Sequence, residues 1–416
     1  MKTFDQRSQA PGDMRTTELL LLFACFFGLG LFNSSTIQEN NITIATLQIT
    51  FSTASIYYLR GSLSRLASYA SVAALTALSL IISNGLAQYD AIETSDWSRV
   101  IGACAHMAFG AFCAAWFMSR RWAINCFVNA ILAATIFYLV ALAVRWISTE
   151  DPYAYPWFHA PPLFNHIRHA GYFLCVGVIV SSWGALQYRG VQGRLALAAY
   201  VVALSILLWS GGRGAFLAAL VGLFALSLHF SPRRHARGWG TLLVGTVLAL
   251  ALSAHFDIGQ RSMGWLGAFE RSATAASLDQ LSTSRLTIWS HLLPYIAERP
   301  LLGWGGEGFL AVWTKGGAVQ AHNGLLQLLI EWGAIGALLV LLSLGWLTTK
   351  GLRMYCAQLG HGKMPAELVL GVALTMGLWA LSIVDGVFYH GTPMAFMMAG
   401  FGMIFAAIER SERVGE

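Results

Sequence analysis

Long apolar runs separated by short polar segments dominate the chain and predict a helical membrane protein that crosses the bilayer many times. A helix that crosses a bilayer needs about 20 consecutive, mainly apolar residues. The predicted spans lie near residues 17–33, 42–59, 66–87, 100–118, 122–144, 166–187, 195–209, 215–230, 239–256, 321–347, 367–384 and 392–408. The fold class predicted from this pattern is an all-α polytopic membrane protein with about 12 transmembrane helices.

The longest polar segment, residues 257–320, separates the ninth predicted span from the tenth. Inside it, the stretch from Arg285 has apolar residues at helical spacing, and Ser284 is its expected N-cap. The members of this apolar stripe are Leu286, Trp289, Leu292, Leu293 and Ile296. Such a helix can lie along a membrane surface and present Arg285 at its start. We therefore predict one membrane-embedded domain over residues 1–416, with a partly helical loop subdomain at 257–320.

Composition supports the membrane prediction and excludes other classes. Hydrophobic residues make up 56% of the chain and charged residues 11%, with a mean hydropathy of +0.59, whereas soluble domains have about 25% charged residues. The formal net charge of +6 does not indicate nucleic-acid binding, because the basic residues lie in short loops. The six cysteines show no disulfide or metal-ligand spacing. No cleavage signal follows the first apolar run, which is predicted to be an uncleaved span.

The distribution of lysine and arginine predicts the orientation. Basic residues concentrate in cytoplasmic loops, and the bias here fits an even number of spans with both termini cytoplasmic. The basic residues that this orientation places on the outer side are Arg99, Arg145, Arg168, Arg213, Arg261, Arg271, Arg285, Arg299 and Lys315. Residues in the long loop are little constrained by the rule, but Arg168 and Arg213 lie in or beside spans and need another explanation.

Three arginines are candidates for binding an anion. Arg213 follows Gly211 and Gly212 in the turn between spans seven and eight, where glycine permits a sharp turn and a guanidinium offers a planar fork for phosphate. The alternative is an interfacial arginine that extends to lipid headgroups. Arg285 is either an anion ligand or a solvated loop arginine, and Arg168 is a third anion contact.

His322 lies just before or within the first turn of span ten and is followed by Asn323. A neutral imidazole can accept a proton from a hydroxyl group, so His322 is a candidate general base. The alternative is a histidine at a helix terminus that binds a backbone carbonyl. Glu331, further along the same span, is predicted to be buried and paired.

Two other outer segments carry polar side chains. His166 and His169 share a helix face at the start of span six, but no cysteine or carboxylate neighbours them in sequence, and a metal site is not predicted. Asp385 and His390 lie in the turn between spans eleven and twelve, where a functional role and structural hydrogen bonding are both open.

These candidates fall on one predicted face of the membrane. They are Arg168, Arg213, Arg285, His322, Asp385 and His390. A transporter typically has binding residues near the bilayer midplane, in broken helices that repeat between two halves, and no such symmetry is visible. The pattern favours anionic, lipid-linked chemistry at the outer face, with a transporter of lipid-linked glycan as the alternative from another class.

Three motifs carry a resemblance to a known family. They are Ser210-Gly211-Gly212-Arg213-Gly214-Ala215, Ser284-Arg285-Leu286 with Trp289, and Ala321-His322-Asn323 with Leu325-Leu326 and Glu331-Trp332-Gly333-Ala334-Ile335-Gly336. With them the chain resembles the O-antigen ligase and polymerase superfamily of bacterial envelope glycosyltransferases, from about residue 165 to 345 and by topology elsewhere. Twelve spans and one large outer loop favour the ligase subgroup, whereas Gly211-Gly212 replaces a serine of many relatives. A polymerase remains the alternative within the superfamily.

The resemblance implies an inner-membrane enzyme that completes lipopolysaccharide on the periplasmic side. The donor would be an O-antigen glycan on undecaprenyl pyrophosphate, and the acceptor a sugar hydroxyl of lipid A–core, in an inverting transfer without metal or cofactor. Catalytic roles are expected for His322 as general base and for Arg213 and Arg285 at the pyrophosphate. Substrate contacts are expected from Arg168, Asn323, His166, His169, Asp385 and His390. Membrane lipids are expected partners, and nucleic acid is not an expected partner.

Overall fold

The computed structural model describes residues 12–31, 36–59, 66–90, 92–260, 262–359 and 364–415. All regular elements in these ranges are helices, which confirms the predicted all-α class. They are α1 Gly12–Leu31, α2 Ile37–Leu59, α3 Ala67–Tyr89, α4 Trp97–Ser119, α5 Ala123–Ser148, α6 Ile167–Gln187, α7 Gly190–Trp209, α8 Arg213–His229, α9 Ala236–His255, α10 Trp265–Ala273, α11 Leu278–Leu281, α12 Arg285–Glu298, α13 Gly308–Val312, α14 Gly324–Gln358, α15 Ala366–Val384 and α16 Gly391–Gly415.

Nine helices in the described part of the chain are long and apolar enough to cross a membrane. They are α3, α4, α5, α6, α7, α9, α14, α15 and α16. The other three predicted spans coincide with α1, α2 and α8, of which α8 has only 17 residues. The end of the first predicted span and Arg261 lie outside the described residues. The prediction of a polytopic membrane protein is therefore confirmed.

Helices α6 and α16 form the centre of the bundle, where their most apolar windows are 89% and 100% buried. Glycines permit close packing here: a Cβ on Gly371 of α15 would lie 2.9 Å from the Gly400 carbonyl oxygen of α16. Small residues commonly allow helix backbones to approach closely inside membranes. This tight packing of α15 against α16 fixes the turn that connects them, residues 385–390.

Helix α14 is interrupted, whereas the sequence predicted one continuous span from residue 321. It begins at Gly324 and has a non-helical residue inside it, Gly333, with φ 61° and ψ −169°. Backbone groups of residues 300–305 replace the lost helical hydrogen bonds. These bonds run from Trp304 N to Ile330 O, from Gly305 N to Glu331 O, from Ala334 N to Pro300 O and from Ile335 N to Leu301 O. The break is tolerated because protein backbone, rather than lipid, satisfies the freed groups.

The segment 257–320 contains α10 to α13 and has a small apolar core of its own. Ile288 and Leu292 of α12 pack there with Phe309 and Val312. The predicted stripe on α12 is partly wrong, because Leu286 and Leu293 are 38% and 58% exposed while Ile288 is buried. The buried face is the one that contacts the adjacent segment 308–321, a partner that periodicity alone does not identify.

Candidate active site

Four connections bring the candidate residues together at one end of the bundle: the segment before α6, the α7–α8 turn, the segment 257–323 and the α15–α16 turn. Asp385 follows α15 directly, its side chain is 8% exposed, and it contacts Arg285 and His322 of the segment 257–323.

The carboxylate of Asp385 contacts polar groups from several segments of the chain. Its Oδ1 lies 3.1 Å from His322 Nδ1 and accepts hydrogen bonds from Gln320 Nε2 at 3.3 Å and from the Gly386 amide at 2.9 Å. Its Oδ2 lies 4.0 Å from Nη2 of Arg285. Asp385 therefore links the candidate base to a candidate anion ligand.

Asp385 stays ionised in this arrangement. Burial alone would raise its pKa, but the hydrogen bond from His322 and the nearby positive charge of Arg285 hold the pKa of Asp385 well below its usual range. An ionised carboxylate can only accept a hydrogen bond, so His322 Nδ1 carries the proton. The lone pair of His322 Nε2 is then free to accept a proton from a substrate.

The backbone around His322 is fixed from both sides. His322 has φ 49°, in the left-handed region, which costs on the order of 1–3 kcal/mol for a residue of this type. Asn323 Oδ1 accepts the Leu326 amide and caps α14, and its Nδ2 donates to the Ile383 carbonyl at 2.9 Å. Both ends of the Asn323 amide therefore join α14 to α15 and hold His322 beside Asp385, while its predicted contact with substrate stays a prediction.

Arg285 begins α12 after two residues with positive φ, Thr283 and Ser284. The predicted capping by Ser284 is wrong, because its side chain makes no capping bond. The carboxylate of Asp279 caps the helix instead, accepting both the amide and the hydroxyl of Thr287 at 2.9 Å. This turn leaves the Arg285 side chain 18% exposed near Asp385. Burial lowers the pKa of Arg285 and Asp385 opposes this effect, and a guanidinium remains charged in either case.

Arg213 is the first residue of α8 and binds the loop that carries Arg285. Its Nη1 donates to the Ser272 hydroxyl at 2.9 Å. Its Nη2 donates to the Leu281 carbonyl and the Thr283 hydroxyl, each at 2.9 Å. The charges of Arg168 and Arg213 both act on Arg285. The three predicted arginines thus lie near one another, and the hydrogen-bond acceptors of Arg213 are neutral groups.

A cavity of about 340 Å³ opens beside these groups. Residues that line it include His166, Arg168, His169, Gln320, His322 and His390. The rings of His169 and His390 lie with centroids 4.6 Å apart, and His169 Nδ1 bonds with Asn165 Oδ1. The two histidines of span six and the turn residue His390 therefore share one cavity with the candidate base.

The histidines at the cavity edge are neutral. Burial, with the charge of Arg168, lowers the pKa of His166 to about 3, and burial with His169 nearby lowers that of His390 well below its usual value. His166 Nδ1 accepts the Arg168 amide at 3.1 Å and caps α6. Within the described ranges no group of three or more His, Cys, Asp or Glu side chains is arranged to hold a metal ion.

Sequence reasoning missed Gln320 and Arg99. The only indication of Gln320 in the sequence was its position beside the Ala321-His322-Asn323 motif. Arg99 is one of the outer arginines, and it explains the predicted pairing of Glu331. Its Nη2 lies 2.8 Å from Glu331 Oε2, and its Nη1 and Nη2 donate to the Tyr389 and Phe388 carbonyls. The prediction that Glu331 is buried and paired is confirmed.

The motif-bearing region matches a known protein family. A family model described as O-antigen ligase matches residues 198–341, which include Arg213, Arg285, His322 and Glu331. A comparison with curated proteins gave no match. Over residues 198–341 the chain is thus matched to the O-antigen ligase and polymerase superfamily, a superfamily of membrane glycosyltransferase-like enzymes, as the three motifs predicted.

Proposed function

We propose that this protein is an O-antigen ligase of the inner membrane. It transfers a glycan from undecaprenyl pyrophosphate to a sugar hydroxyl of lipid A–core on the periplasmic side and so completes lipopolysaccharide. The observation that carries the proposal is the junction of His322, Asp385 and Arg285, because it sets a proton acceptor beside a fixed positive charge. Twelve predicted spans and one large loop between the ninth and tenth spans support the ligase subgroup.

His322 acts as the general base in this proposal. The acceptor hydroxyl is a weak nucleophile and gains reactivity when its proton passes to a positioned base. Asp385 keeps the proton on Nδ1, leaves Nε2 free, and stabilises the imidazolium that forms. The Asn323 cap keeps the imidazole beside Asp385 through the reaction.

Arg285 stabilises the leaving group. The bond between the anomeric carbon and the pyrophosphate oxygen breaks as the acceptor oxygen bonds to that carbon, so negative charge grows on the pyrophosphate. A fixed guanidinium stabilises such charge without reorganisation. Arg285 lies 4.0 Å from Asp385, a loose contact that leaves its fork available. Arg213 adds positive charge and holds the loop that carries Arg285, and Arg168 supports both.

The reaction is a single displacement. Its products are glycosylated lipid A–core, with inverted configuration at the anomeric carbon, and undecaprenyl pyrophosphate, and the hydroxyl proton resides on His322 before it passes to solvent. The proposed reaction uses neither a metal nor a cofactor. The proposed arrangement is one membrane-embedded domain with both termini cytoplasmic and the site on the periplasmic side.

The test is reconstituted transfer with purified protein, an undecaprenyl-pyrophosphate-linked glycan and lipid A–core in the presence of EDTA. The proposal predicts glycosylated lipid A–core as the product. Longer glycans on the carrier, without modified lipid A–core, would identify a polymerase instead. Carrier-linked glycan that crosses vesicle membranes without any new glycosidic bond would identify a transporter. Loss of product in EDTA that added divalent metal restores would contradict metal independence.

A further inference from the structure

Helix α10 (Trp265–Ala273) turns its apolar face away from the protein. Leu266, Phe269 and Ala273 share one face at the i, i+3 and i+7 spacing of a helix. Leu266 is 47% exposed and Phe269 is 72% exposed, whereas Ala268, on another face, is buried. A helix on the surface of a soluble globular protein has the opposite arrangement, with its apolar stripe toward the core. The orientation of α10 therefore indicates an apolar environment outside the protein.

Polar groups of α10 bind the end of the helix bundle. Arg271 Nη2 donates to the Gly211 carbonyl at 3.3 Å. Ser272 Oγ accepts a hydrogen bond from Arg213 Nη1 at 2.9 Å. At the start of α10, the backbone amide of the preceding residue donates to the Trp209 carbonyl at 2.7 Å. Both ends of α10 are thus attached to the end of α7 and the turn after it, which fixes the helix where these spans leave the bundle.

The span that α10 contacts has a large exposed apolar surface. Helix α9 is long and apolar enough to cross a membrane, and only 22% of its most apolar window is buried. Val247 within α9 and Phe256 directly after it are 61% and 46% exposed. Such a surface on a membrane span faces acyl chains, because a span that is not covered by protein is covered by lipid. Since α10 packs against α9, its exposed apolar face continues this lipid-facing surface at the end of the span.

We propose that α10 is an interfacial helix that docks on the bilayer surface beside the candidate site, with Leu266 and Phe269 among the acyl chains of glycerophospholipids. Amphipathic helices of this kind lie in the plane of the interface, and Trp265 at the start of α10 is of a residue type enriched there. The docked helix holds Arg213, through Ser272, at the level of the lipid headgroups.

The size of the exposed face favours lipid over a second copy of the chain. A stable interface between proteins buries about 800 Å² on each partner, and one aromatic side chain contributes about 150–250 Å². The three side chains on this face of α10, one of which is an alanine, are too few for such an interface. Contact with lipid needs no minimum area, because the spans already hold the protein in the bilayer.

The test measures whether position 269 lies in lipid or in water. Phe269→Cys carries a nitroxide spin label in the full-length protein, in which the two cysteines that are not buried, Cys104 and Cys356, are replaced by alanine. The protein is reconstituted into vesicles of phosphatidylethanolamine and phosphatidylglycerol. Collisions of the label with molecular oxygen, which concentrates among acyl chains, are compared with collisions with a nickel chelate, which stays in water. Val247→Cys is the lipid-facing reference, and Glu298→Cys, at an exposed charged residue of α12, is the water-facing reference.

We expect the ratio of oxygen to nickel collisions at position 269 to exceed the ratio at position 298 severalfold and to approach that at position 247. A ratio at position 269 no higher than that at position 298 would place the face in water and overturn the proposal. Protection from both reagents, together with spin–spin broadening, would show a second copy of the chain on this face and overturn it as well. Leu266→Cys, on the same face, decides the matter if Phe269→Cys fails to fold. The measurement needs no glycan transfer, so its result is independent of the proposed function.

Discussion

At the scale of single residues, the site depends on a carboxylate that sequence reasoning could place but not interpret. His322, Gln320 and Arg285 all belong to the segment 257–323. Asp385, at the end of α15, contacts all three. Its contribution is orientation and charge: it fixes the tautomer of His322 and balances the guanidinium of Arg285. Both effects need an ionised carboxylate, which the depressed pKa of Asp385 supplies.

We predict that Asp385→Asn lowers kcat for glycan transfer by about 10²- to 10⁴-fold, the range seen when a base loses its orienting carboxylate. The amide cannot hold the proton on Nδ1 in the same way, so Nε2 is no longer the reliable acceptor. The double variant Asp385→Asn/His322→Ala should be no slower than His322→Ala, because the two residues act as a unit. Additive losses in this cycle would show that Asp385 acts independently of the imidazole.

At the scale of elements, the site depends on the break in α14 and on Arg99. The break at Gly333 binds the segment 300–305, and Arg99 of α4 joins Glu331, beside the break, to the carbonyls of Phe388 and Tyr389 in the α15–α16 turn. That turn carries Asp385. The motif around Glu331 and Gly333 therefore positions the site without touching substrate.

We predict that Gly333→Ala destabilises the protein, because a Cβ there overlaps the Leu301 backbone and the residue has φ 61°. Gly345→Ala is the matched control: it lies in the same helix, and nothing lies within 4 Å of the added atom. Thermal unfolding in detergent should show a lower Tm for Gly333→Ala and no decrease for Gly345→Ala. Equal Tm values for the two variants would contradict the structural role of the break.

We predict that Arg99→Gln lowers both Tm and transfer activity, since it leaves Glu331 buried without its partner, a loss of about 3–5 kcal/mol. Arg120→Gln is the control, because Arg120 pairs with Glu18 at the same 2.8 Å but at the other end of α4 and is 30% exposed. Restoring charge balance with Arg99→Gln/Glu331→Gln should recover part of the stability. A larger effect of Arg120→Gln on transfer would refute the positioning role of Arg99.

At the scale of the whole molecule, the helices were predictable because membrane spans leave a strong apolar pattern. The site was predictable in part: Arg213, Arg285 and His322 stand out as polar residues at span ends. Gln320 and the centre at Asp385 were not, because they depend on which loops meet at the end of the bundle. The break in α14 escaped prediction because Gly333 is compatible with a helix until residues 300–305 bind beside it.

We also predict a pH dependence of stability that comes from Glu307. Burial raises the pKa of Glu307 to about 7, with Arg99 lowering it and Glu331 raising it, from a value of 4.5 in an unperturbed chain. As pH rises, Glu307 ionises at lower pH in the unfolded chain than in the folded protein. Its contribution to folding stability is therefore fully present below pH 4.5 and is lost as pH rises through about 7. The slope cannot exceed about 1.4 kcal/mol per pH unit for one proton. Tm between pH 5 and 8 should fall more steeply in wild type than in Glu307→Gln, and parallel curves would contradict this.

The most direct test of His322 as the general base is transfer from undecaprenyl pyrophosphate to lipid A–core by wild type, His322→Ala and His291→Ala in one assay. His291 lies in the same loop, but its Nε2 is 3.1 Å from the Val312 carbonyl and its ring packs against Tyr295 and Trp313. We expect product from wild type and His291→Ala, with the rate of His322→Ala lower by about 10²-fold or more. Transfer by His322→Ala at the wild-type rate would contradict the role of His322 as general base.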